Sequence, residues 1–372
     1  MRLDANQQAF LALVRAGLWE RSVQLSPYGE MDLGAVYRLA EEQAVLGLVA
    51  AGLEHVSDVV LPKEEVLVFV GSVLPLEQRN ADMNRFIGEM VEKMRETGIF
   101  AVLVKGQGVA QCYERPLWRA CGDVDLLLGE DNYNKAIQLL SPLASRVEEE
   151  NPYNRHLAMD IDSWLVELHG TLRGHLWKRI DMGIDEVQND VFRKGRVRSW
   201  MHGDTQVTLP GVDEDVVFVF AHIIQHYFKE GVGLRQICDW CRLLWTYRNE
   251  LDLVLLNKRL RKMGVMSEWK AFAALAVDYL GMPIEAMPFN SDTRNWRRKA
   301  DRIVSFIFET GAFGHNRDYS YYTKYPYVVY KMISLWRHVK DLFRYFFIFP
   351  LDSMRRGWQM MVTGISVVAQ GK

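Results

Sequence analysis

The sequence predicts an α+β protein in which a mixed β-sheet core with helices is embedded in a mostly helical chain. Apolar residues recur at helical spacing over about the first ninety residues and again after Pro210. Between these stretches, short apolar runs rich in β-branched residues and bounded by turn residues are typical of strands. We therefore predict an N-terminal helical region at 1–96, an α/β core at 97–212 and a C-terminal helical region at 213–372.

The N-terminal region is predicted to contain four helices. Its first apolar set at helical spacing is Phe10, Leu11, Leu13, Val14 and Leu18. Asp32 precedes a second periodic run that extends to Val49 and is a suitable N-cap for it. Pro62 would open a third helix, and a fourth would run over about 76–96 and stop at Gly98.

The middle region is predicted to contain strands at 99–104, Asp123–Leu128, His156–Ile161 and Trp164–His169. The first strand runs into Lys105-Gly106-Gln107-Gly108, which reads as a turn that opens a helix. Asp131 is expected to cap a helix after the second strand, and Asp162-Ser163 would form the turn between the last two strands.

Helices are predicted again after Pro210, with Asp213 or Asp215 as the cap of the first one. The segment 231–233 interrupts this pattern, and a helix resumes over 234–247. Near the C-terminus, Arg337, Lys340 and Arg344 alternate with Trp336, Leu342, Phe346 and Phe347. They would form either a basic aromatic surface that touches membrane or nucleic acid, or ordinary helix packing, which we favour.

The composition favours a soluble cytoplasmic protein without integral membrane association. The 45 basic and 47 acidic residues nearly cancel, so no global field attracts nucleic acid or an anionic membrane. The N-terminus lacks the pattern of a secretory signal, and the apolar runs are shorter than the roughly 20 residues that span a bilayer. Four cysteines are too few for a disulfide framework and are expected to be reduced.

The acid pair in Gly122-Asp123-Val124-Asp125-Leu126 is predicted to bind a divalent metal ion. Successive side chains of a strand point to opposite faces, so Asp123 and Asp125 would project together. Such a pair repels itself unless a cation lies between, and its hard oxygens suit Mg²⁺ or Mn²⁺ shared with substrate phosphates. Glu167, a lone acid in a strand-like run, is the candidate third ligand. The alternative is a pair of solvated acids on an edge strand, which the apolar flanks disfavour.

These residues resemble the uncharacterised nucleotidyltransferase family of bacteria, within the DNA-polymerase-beta-like nucleotidyltransferase superfamily. The resemblance rests on segments 103–106, 122–127, 166–169 and 233–235, together with Tyr113, Pro116, Arg119, His222, His226 and Asp239. It extends from about residue 5 to about residue 250. It implies that Gly106 is the turn glycine, that Asp123 and Asp125 are metal ligands, and that Glu167 is the third acid. Gln107 departs from the glycine or serine that is common in the superfamily.

The resemblance implies transfer of a nucleoside monophosphate from an NTP to an acceptor hydroxyl, with release of pyrophosphate and two divalent metals. Glu167 would bind the second metal or activate the acceptor. The acceptor is left open among a small molecule, a sugar, a protein and an RNA end. The alternative is a degenerate, non-catalytic nucleotide-binding or structural partner protein with the same fold, which the altered turn at Gln107 favours and the retained acids oppose.

The triphosphate is expected against the turn Lys105-Gly106-Gln107-Gly108, where glycines let backbone and phosphate approach closely. Lys105 and Arg119 are the cations nearest the acid pair, and each would meet the triphosphate or remain an ion-paired surface charge. Under this hypothesis Gly108→Val weakens NTP binding more than stability. Asp125→Asn should abolish transfer without destabilising the fold, because it relieves repulsion within the pair.

Three further pairs have structural and functional interpretations. His222 and His226 lie four residues apart, and we favour hydrogen-bonded or core histidines over metal ligands. Cys238 and Cys241 have redox or zinc spacing but lack a second pair, so buried thiols are favoured. For Arg235 and Asp239 we favour a helix ion pair that docks the helical region on the core over a place for Arg235 beside the nucleotide or acceptor.

Overall fold

The computed structural model describes residues 3–151, 155–317, 320 and 324–369. Its helices are α1 (Ala5–Trp19), α2 (Leu33–Glu42), α3 (Leu46–Glu54), α4 (Lys63–Glu96), α5 (Gly106–Ala110), α6 (Glu130–Leu140), α7 (Lys178–Lys194), α8 (Val212–Lys229), α9 (Leu234–Thr246), α10 (Leu253–Met263), α11 (Met266–Leu280) and α12 (Arg294–Thr310), followed by helices at Tyr327–Phe346 and Pro350–Ala369. Its strands are β1 (Ala101–Val104), β2 (Asp123–Leu128), β3 (Arg146–Val147), β4 (His156–Ile161), β5 (Trp164–His169), β6 (Val197–His202) and β7 (Thr205–Pro210).

In this part of the chain, five strands form one mixed sheet in the order β1-β2-β5-β4-β3. Strands β2 and β5 are parallel neighbours, and the other pairings are antiparallel. Strands β6 and β7 form a separate hairpin, in which Val207 and Leu209 pack into the same core as Leu103 of β1. The predicted α+β fold with a mixed sheet and many helices is confirmed.

The two faces of the sheet differ in chemistry because side chains alternate along each strand. One face carries Val124, Leu126, Val166 and Leu168, which pack against the second half of α4 and against α6. On the opposite face, β2 and β5 carry Asp123, Asp125, Glu167 and His169, together with Leu127 and Leu165. The apolar face fixes the sheet, and the polar face is turned toward the helices that follow β7.

The predicted strands agree with the structure except that β1 begins two residues later, at Ala101. Asp32 caps α2 as predicted, but the run that it opens divides into α2 and α3, because Ala44 between them has a left-handed φ of 54°. The two helices predicted between Pro62 and Gly98 are one helix, α4, which contains Pro75. Helix α7 and the β6–β7 hairpin were not predicted.

Two predicted helix caps are wrong. Helices α6 and α8 begin after Gly129 and Gly211, and Asp131, Asp213 and Asp215 lie in their first turns. Acids there still interact favourably with the positive end of the helix dipole. Asp215 has a different partner, since Arg198 donates to its Oδ2 over 2.7 Å.

The C-terminal residues form helices that share a core with the N-terminal region. One apolar cluster extends from Ala9 to Phe349 and includes residues of both helical regions. The division at 96/97 and 212/213 stays a prediction. None of the described helices is long and apolar enough to cross a membrane. Trp336 is 72% exposed and Phe347 63% exposed, so these two rings do not pack as we favoured, whereas a contact with membrane or nucleic acid stays a prediction.

Candidate active site

Three carboxylates meet on the polar face of the sheet. Asp123 and Asp125 lie two residues apart on β2, and Glu167 is the direct neighbour of Asp125 on the parallel strand β5. One oxygen from each of the three lies within 4.8 Å of the others. The structure therefore brings together the three acids that the sequence singled out.

Lys105 lies at the end of β1, beside Asp125. Its Nζ is 2.9 Å from Asp125 Oδ1, and Asp125 itself is only 3% exposed. The backbone of Lys105 has φ 56° and ψ −142°, close to a region that is almost restricted to glycine. Such a conformation costs about 1–3 kcal/mol and persists where the surrounding structure enforces it. This backbone conformation accompanies the contact of the ammonium with Asp125.

Two histidines that the sequence analysis did not assign complete this cluster. His169 lies two residues after Glu167 on β5, and His156 is its direct neighbour on β4. His169 Nε2 is 2.7 Å from Asp125 Oδ1 and 3.4 Å from Glu167 Oε2, whereas His156 Nε2 is 3.1 Å from Glu167 Oε2. Strand alternation indicates His169 from the sequence, but His156 requires the register of β4.

The three acids have different electrostatic environments. Burial and the charge of Asp125 raise the pKa of Asp123 above its usual range. Burial also opposes ionisation of Asp125, but the Lys105 ammonium and the His169 hydrogen bond outweigh it and lower the pKa of Asp125. Hydrogen bonds from His156 and His169 lower the pKa of Glu167. Asp123 is thus the acid whose negative charge the protein compensates least.

The pairing of Asp125 with Lys105 changes one expectation. Asp125→Asn would leave a largely buried ammonium without its carboxylate, and breaking such a pair is destabilising. The expectation that this substitution spares the fold is therefore withdrawn. Asp123→Asn is the substitution that relieves repulsion, because Asp123 is the acid whose pKa is raised.

The acids line a cavity of about 230 Å³ between the sheet and the helices α8 and α9. Its remaining polar border includes Lys105, Arg119, His222, His226 and Arg235. A second cavity of about 270 Å³ adjoins it, shares Lys105 and Glu167 with it, and is lined by His156 and His169. Glu167 therefore lies where the two cavities meet.

The turn after β1 contributes less to this cavity than the sequence suggests. Lys105 and Gly106 line it. Gln107 is buried, and its Nε2 donates to Asn80 Oδ1 on α4 over 2.8 Å. A Cβ on Gly108 would lie 2.8 Å from Leu209 Cδ2 of β7, so this position faces the core of the hairpin. The geometry thus leaves Gln107 and Gly108 only backbone groups with which to approach a substrate.

Arg119 is 6% exposed and holds Asp239 of α9 in a two-point ion pair. Arg119 Nε and Nη2 donate to the two carboxylate oxygens over 3.0 and 2.6 Å, and the Tyr113 hydroxyl donates to Oδ1 over 2.7 Å. This arrangement docks α9 on the core, which is the role expected of Arg235 and Asp239. The partner of Asp239 in that contact is Arg119, because α9 turns Arg235 toward the cavity.

Arg235, His222 and His226 all border the cavity. Arg235 Nη1 donates to the Ala120 carbonyl over 2.9 Å. The rings of His222 and His226 are stacked edge-on, 4.3 Å apart, and burial lowers the pKa of His222 well below its usual range. Cys238 and Cys241 are buried free thiols, as favoured. Sequence spacing alone did not show that these helical residues face the acids.

The fold and the site together define a centre of three carboxylates on a mixed sheet, at a cavity that cationic side chains border. The model of a family described as uncharacterised nucleotidyltransferases matches residues 29–281, which is more than half of the chain. The chain belongs to this uncharacterised nucleotidyltransferase family. No curated protein and no solved structure was found to be similar to it.

Proposed function

We propose that this protein transfers a nucleoside monophosphate from an NTP to an acceptor hydroxyl and releases pyrophosphate. The observation that carries this proposal is the convergence of Asp123, Asp125 and Glu167 within 4.8 Å at a cavity that cations border. An acid-x-acid strand beside a parallel strand with a third acid also supports membership of the DNA-polymerase-beta-like superfamily.

The three acids fit a divalent metal. They offer hard oxygen ligands, and the raised pKa of Asp123 reflects a negative charge that the protein does not fully balance. Asp123 and Asp125, with Glu167 as the third ligand, would hold Mg²⁺ or Mn²⁺. Such ions, when bound, neutralise triphosphate charge and help to orient the attacking hydroxyl.

Lys105 and Gly106 are proposed to meet the triphosphate. The Lys105 ammonium borders the same cavity as the acids, and Gly106, with φ 40°, lines that cavity with its backbone. Helix α5 has only five residues, so the charge of Lys105 carries more of this argument than a helix dipole. Arg235 is a better candidate for a second phosphate contact than Arg119, whose guanidinium is committed to Asp239.

Glu167 is proposed to act as a ligand rather than as a general base. A base works best when its pKa is near the working pH, and hydrogen bonds from two histidines lower the pKa of Glu167. An ionised carboxylate that is held in place suits cation binding. The acceptor hydroxyl would enter from the second cavity, because Glu167 borders both cavities.

The alternative function is a non-catalytic nucleotide-binding or structural partner protein with the same fold. One observation favours it: Lys105 and His169 both lie within hydrogen-bond distance of Asp125 Oδ1. In a degenerate protein this ion pair would permanently replace the metal. In an active enzyme it would open when metal and NTP bind.

The test is incubation of the purified protein with each α-labelled NTP and Mg²⁺. Acceptors should include the protein itself, RNA with a free 3′ hydroxyl, sugars and small metabolites. Metal-dependent pyrophosphate release with transfer of the label to one acceptor class supports the proposal. Nucleotide binding without pyrophosphate release under all these conditions would support the non-catalytic alternative.

A further inference from the structure

The histidine pair on the polar face forms a second group of metal-ligand type next to the three acids. His156, Glu167 and His169 each offer one ligand atom, and these atoms lie within 4.8 Å of one another. The sheet fixes the group. Glu167 and His169 lie two residues apart on β5 and share a face, and His156 on β4 is the direct neighbour of His169. A site on strands is more rigid than a site on loops.

Two of the three distances within this group are close to those of a coordination shell. Ligands at 2.0–2.1 Å from a tetrahedral ion are about 3.3–3.4 Å apart. The observed distances from Glu167 Oε2 to His156 Nε2 and His169 Nε2 are 3.1 and 3.4 Å. Both rings turn Nε2 toward Glu167, and an ion among the three atoms would replace the 2.7 Å contact of His169 Nε2 with Asp125 Oδ1.

The donor set differs from that of the neighbouring acids. Two imidazoles and one carboxylate suit Zn²⁺ and related transition ions, whereas Mg²⁺ prefers oxygen ligands alone. The two sides of Glu167 therefore favour different ions. The histidine side faces the second cavity, which leaves room for a further ligand such as water or an acceptor oxygen.

We propose that His156, Glu167 and His169 form a transition-metal site of the Zn²⁺ type, distinct in ion preference from the Asp123 and Asp125 side. Glu167 is common to both groups and would contribute to each. The alternative is that the histidines only hold Glu167 in place by hydrogen bonds. The inference concerns ion selectivity and holds or fails independently of the proposed transfer reaction.

Metal titration of the full-length, metal-stripped protein tests the site. Zn²⁺ binding is measured calorimetrically in excess Mg²⁺, and Co²⁺ is used as a probe because its visible absorption becomes much stronger in a four-coordinate site than in water. We expect one Zn²⁺ site that Mg²⁺ does not displace. His156→Gln should weaken Zn²⁺ and Co²⁺ at least about tenfold, since loss of a ligand costs no less than loss of a ligand's hydrogen-bond partner.

His315→Gln is the matched control, because His315 is exposed and remote in sequence from the sheet. It should bind Zn²⁺ like the wild type. Unchanged Zn²⁺ affinity in His156→Gln, or loss of Zn²⁺ in His222→Gln alone, would overturn the proposal. Asp123→Asn separates the two hypotheses: it should retain Zn²⁺ while losing Mg²⁺-dependent NTP binding, so failure of one site does not mimic failure of the other.

Nuclear magnetic resonance of the nine histidines in the wild type gives a second measurement that does not depend on a variant. Zn²⁺ should shift the ring nitrogens of His156 and His169 in the pattern of Nε2 ligation. If both rings keep their metal-free signals in saturating Zn²⁺, the histidines are hydrogen-bond partners of Glu167 and the proposal is wrong.

Discussion

Two clusters of buried charge border the same cavity and differ in how well the protein satisfies them. In the first, Asp239 accepts two hydrogen bonds from Arg119 and one from Tyr113. In the second, Asp123, Asp125 and Glu167 face one Lys105 ammonium. The first cluster is balanced within the protein, whereas the second has more acids than permanently charged partners.

This difference distinguishes a structural ion pair from a ligand-binding group. Charged groups are buried at a cost that a complete set of partners offsets. Where partners are incomplete, the pKa of a carboxyl rises, as at Asp123. We therefore assign docking of α9 to the Arg119 cluster and ligand binding to the acid cluster.

The largest effect is expected for Asp123→Asn. A metal supplies several kcal/mol of charge stabilisation, so transfer should fall about a thousandfold or more. Stability should not fall: a carboxyl whose folded pKa is raised contributes most stability at low pH, and that contribution is lost as pH rises through the raised pKa. Asp160→Asn, on strand β4 of the same sheet, is the control and should retain transfer. Equal losses in both variants would contradict the assignment.

The next effect is expected for Asp239→Asn. Neutralising this acid leaves the buried guanidinium of Arg119 without a counter-charge, which should cost about 3 kcal/mol of folding stability. Urea unfolding measures this loss. Under conditions where the variant is folded, NTP affinity should change less than in Asp123→Asn. The reverse order would show that the Arg119 cluster belongs to the nucleotide site.

A smaller effect is expected at the turn after β1. Gly108→Val should destabilise by about 1–3 kcal/mol through overpacking against Leu209, and should leave NTP affinity near that of the wild type. This reverses the expectation from sequence, because the position faces the core. Gly106→Ala is the comparison at the cavity: it strains a backbone with φ 40° and adds a Cβ 3.3 Å from Cys121 Sγ, so it should shift the turn and weaken NTP binding as well as stability. Calorimetric titration with a non-hydrolysable NTP distinguishes the two.

The smallest effect is expected from pH at His222. Its pKa is lowered by burial and by His226, so the folded state disfavours the charged ring. Stability should therefore fall as pH decreases through the ordinary histidine range. Thermal unfolding between pH 7 and pH 5 should show a smaller decrease for His222→Gln than for the wild type. Identical pH profiles would show that this histidine is solvated in the folded protein.

The sequence predicted the strands better than the rest of the fold. Asp123–Leu128 and Trp164–His169 are apolar runs with sharp boundaries. Strand alternation, together with the observed pairing of the two strands, places Asp125 and Glu167 on one face. Helix boundaries were less predictable. Pro75 lies on an exposed face of α4, which continues through it, and the alternation of β6 is too polar to stand out.

The acids of the site were predictable, whereas their partners were not. Lys105 was identified from its place at a strand end, but its pairing with Asp125 depends on the antiparallel register of β1. His156 is 11 residues from Glu167, and contact between them depends on the β4–β5 pairing. The exchange of roles between Arg119 and Arg235 depends on how α9 docks, and a spacing of four residues does not specify docking.

The most direct test of the account is NTP binding with and without Mg²⁺, measured by calorimetric titration of a non-hydrolysable NTP into the wild type and Asp123→Asn. The account predicts that Mg²⁺ strengthens binding to the wild type and that Asp123→Asn loses this Mg²⁺-dependent part while remaining folded. Equal strengthening by Mg²⁺ in both proteins would contradict the claim that the acid cluster holds the metal.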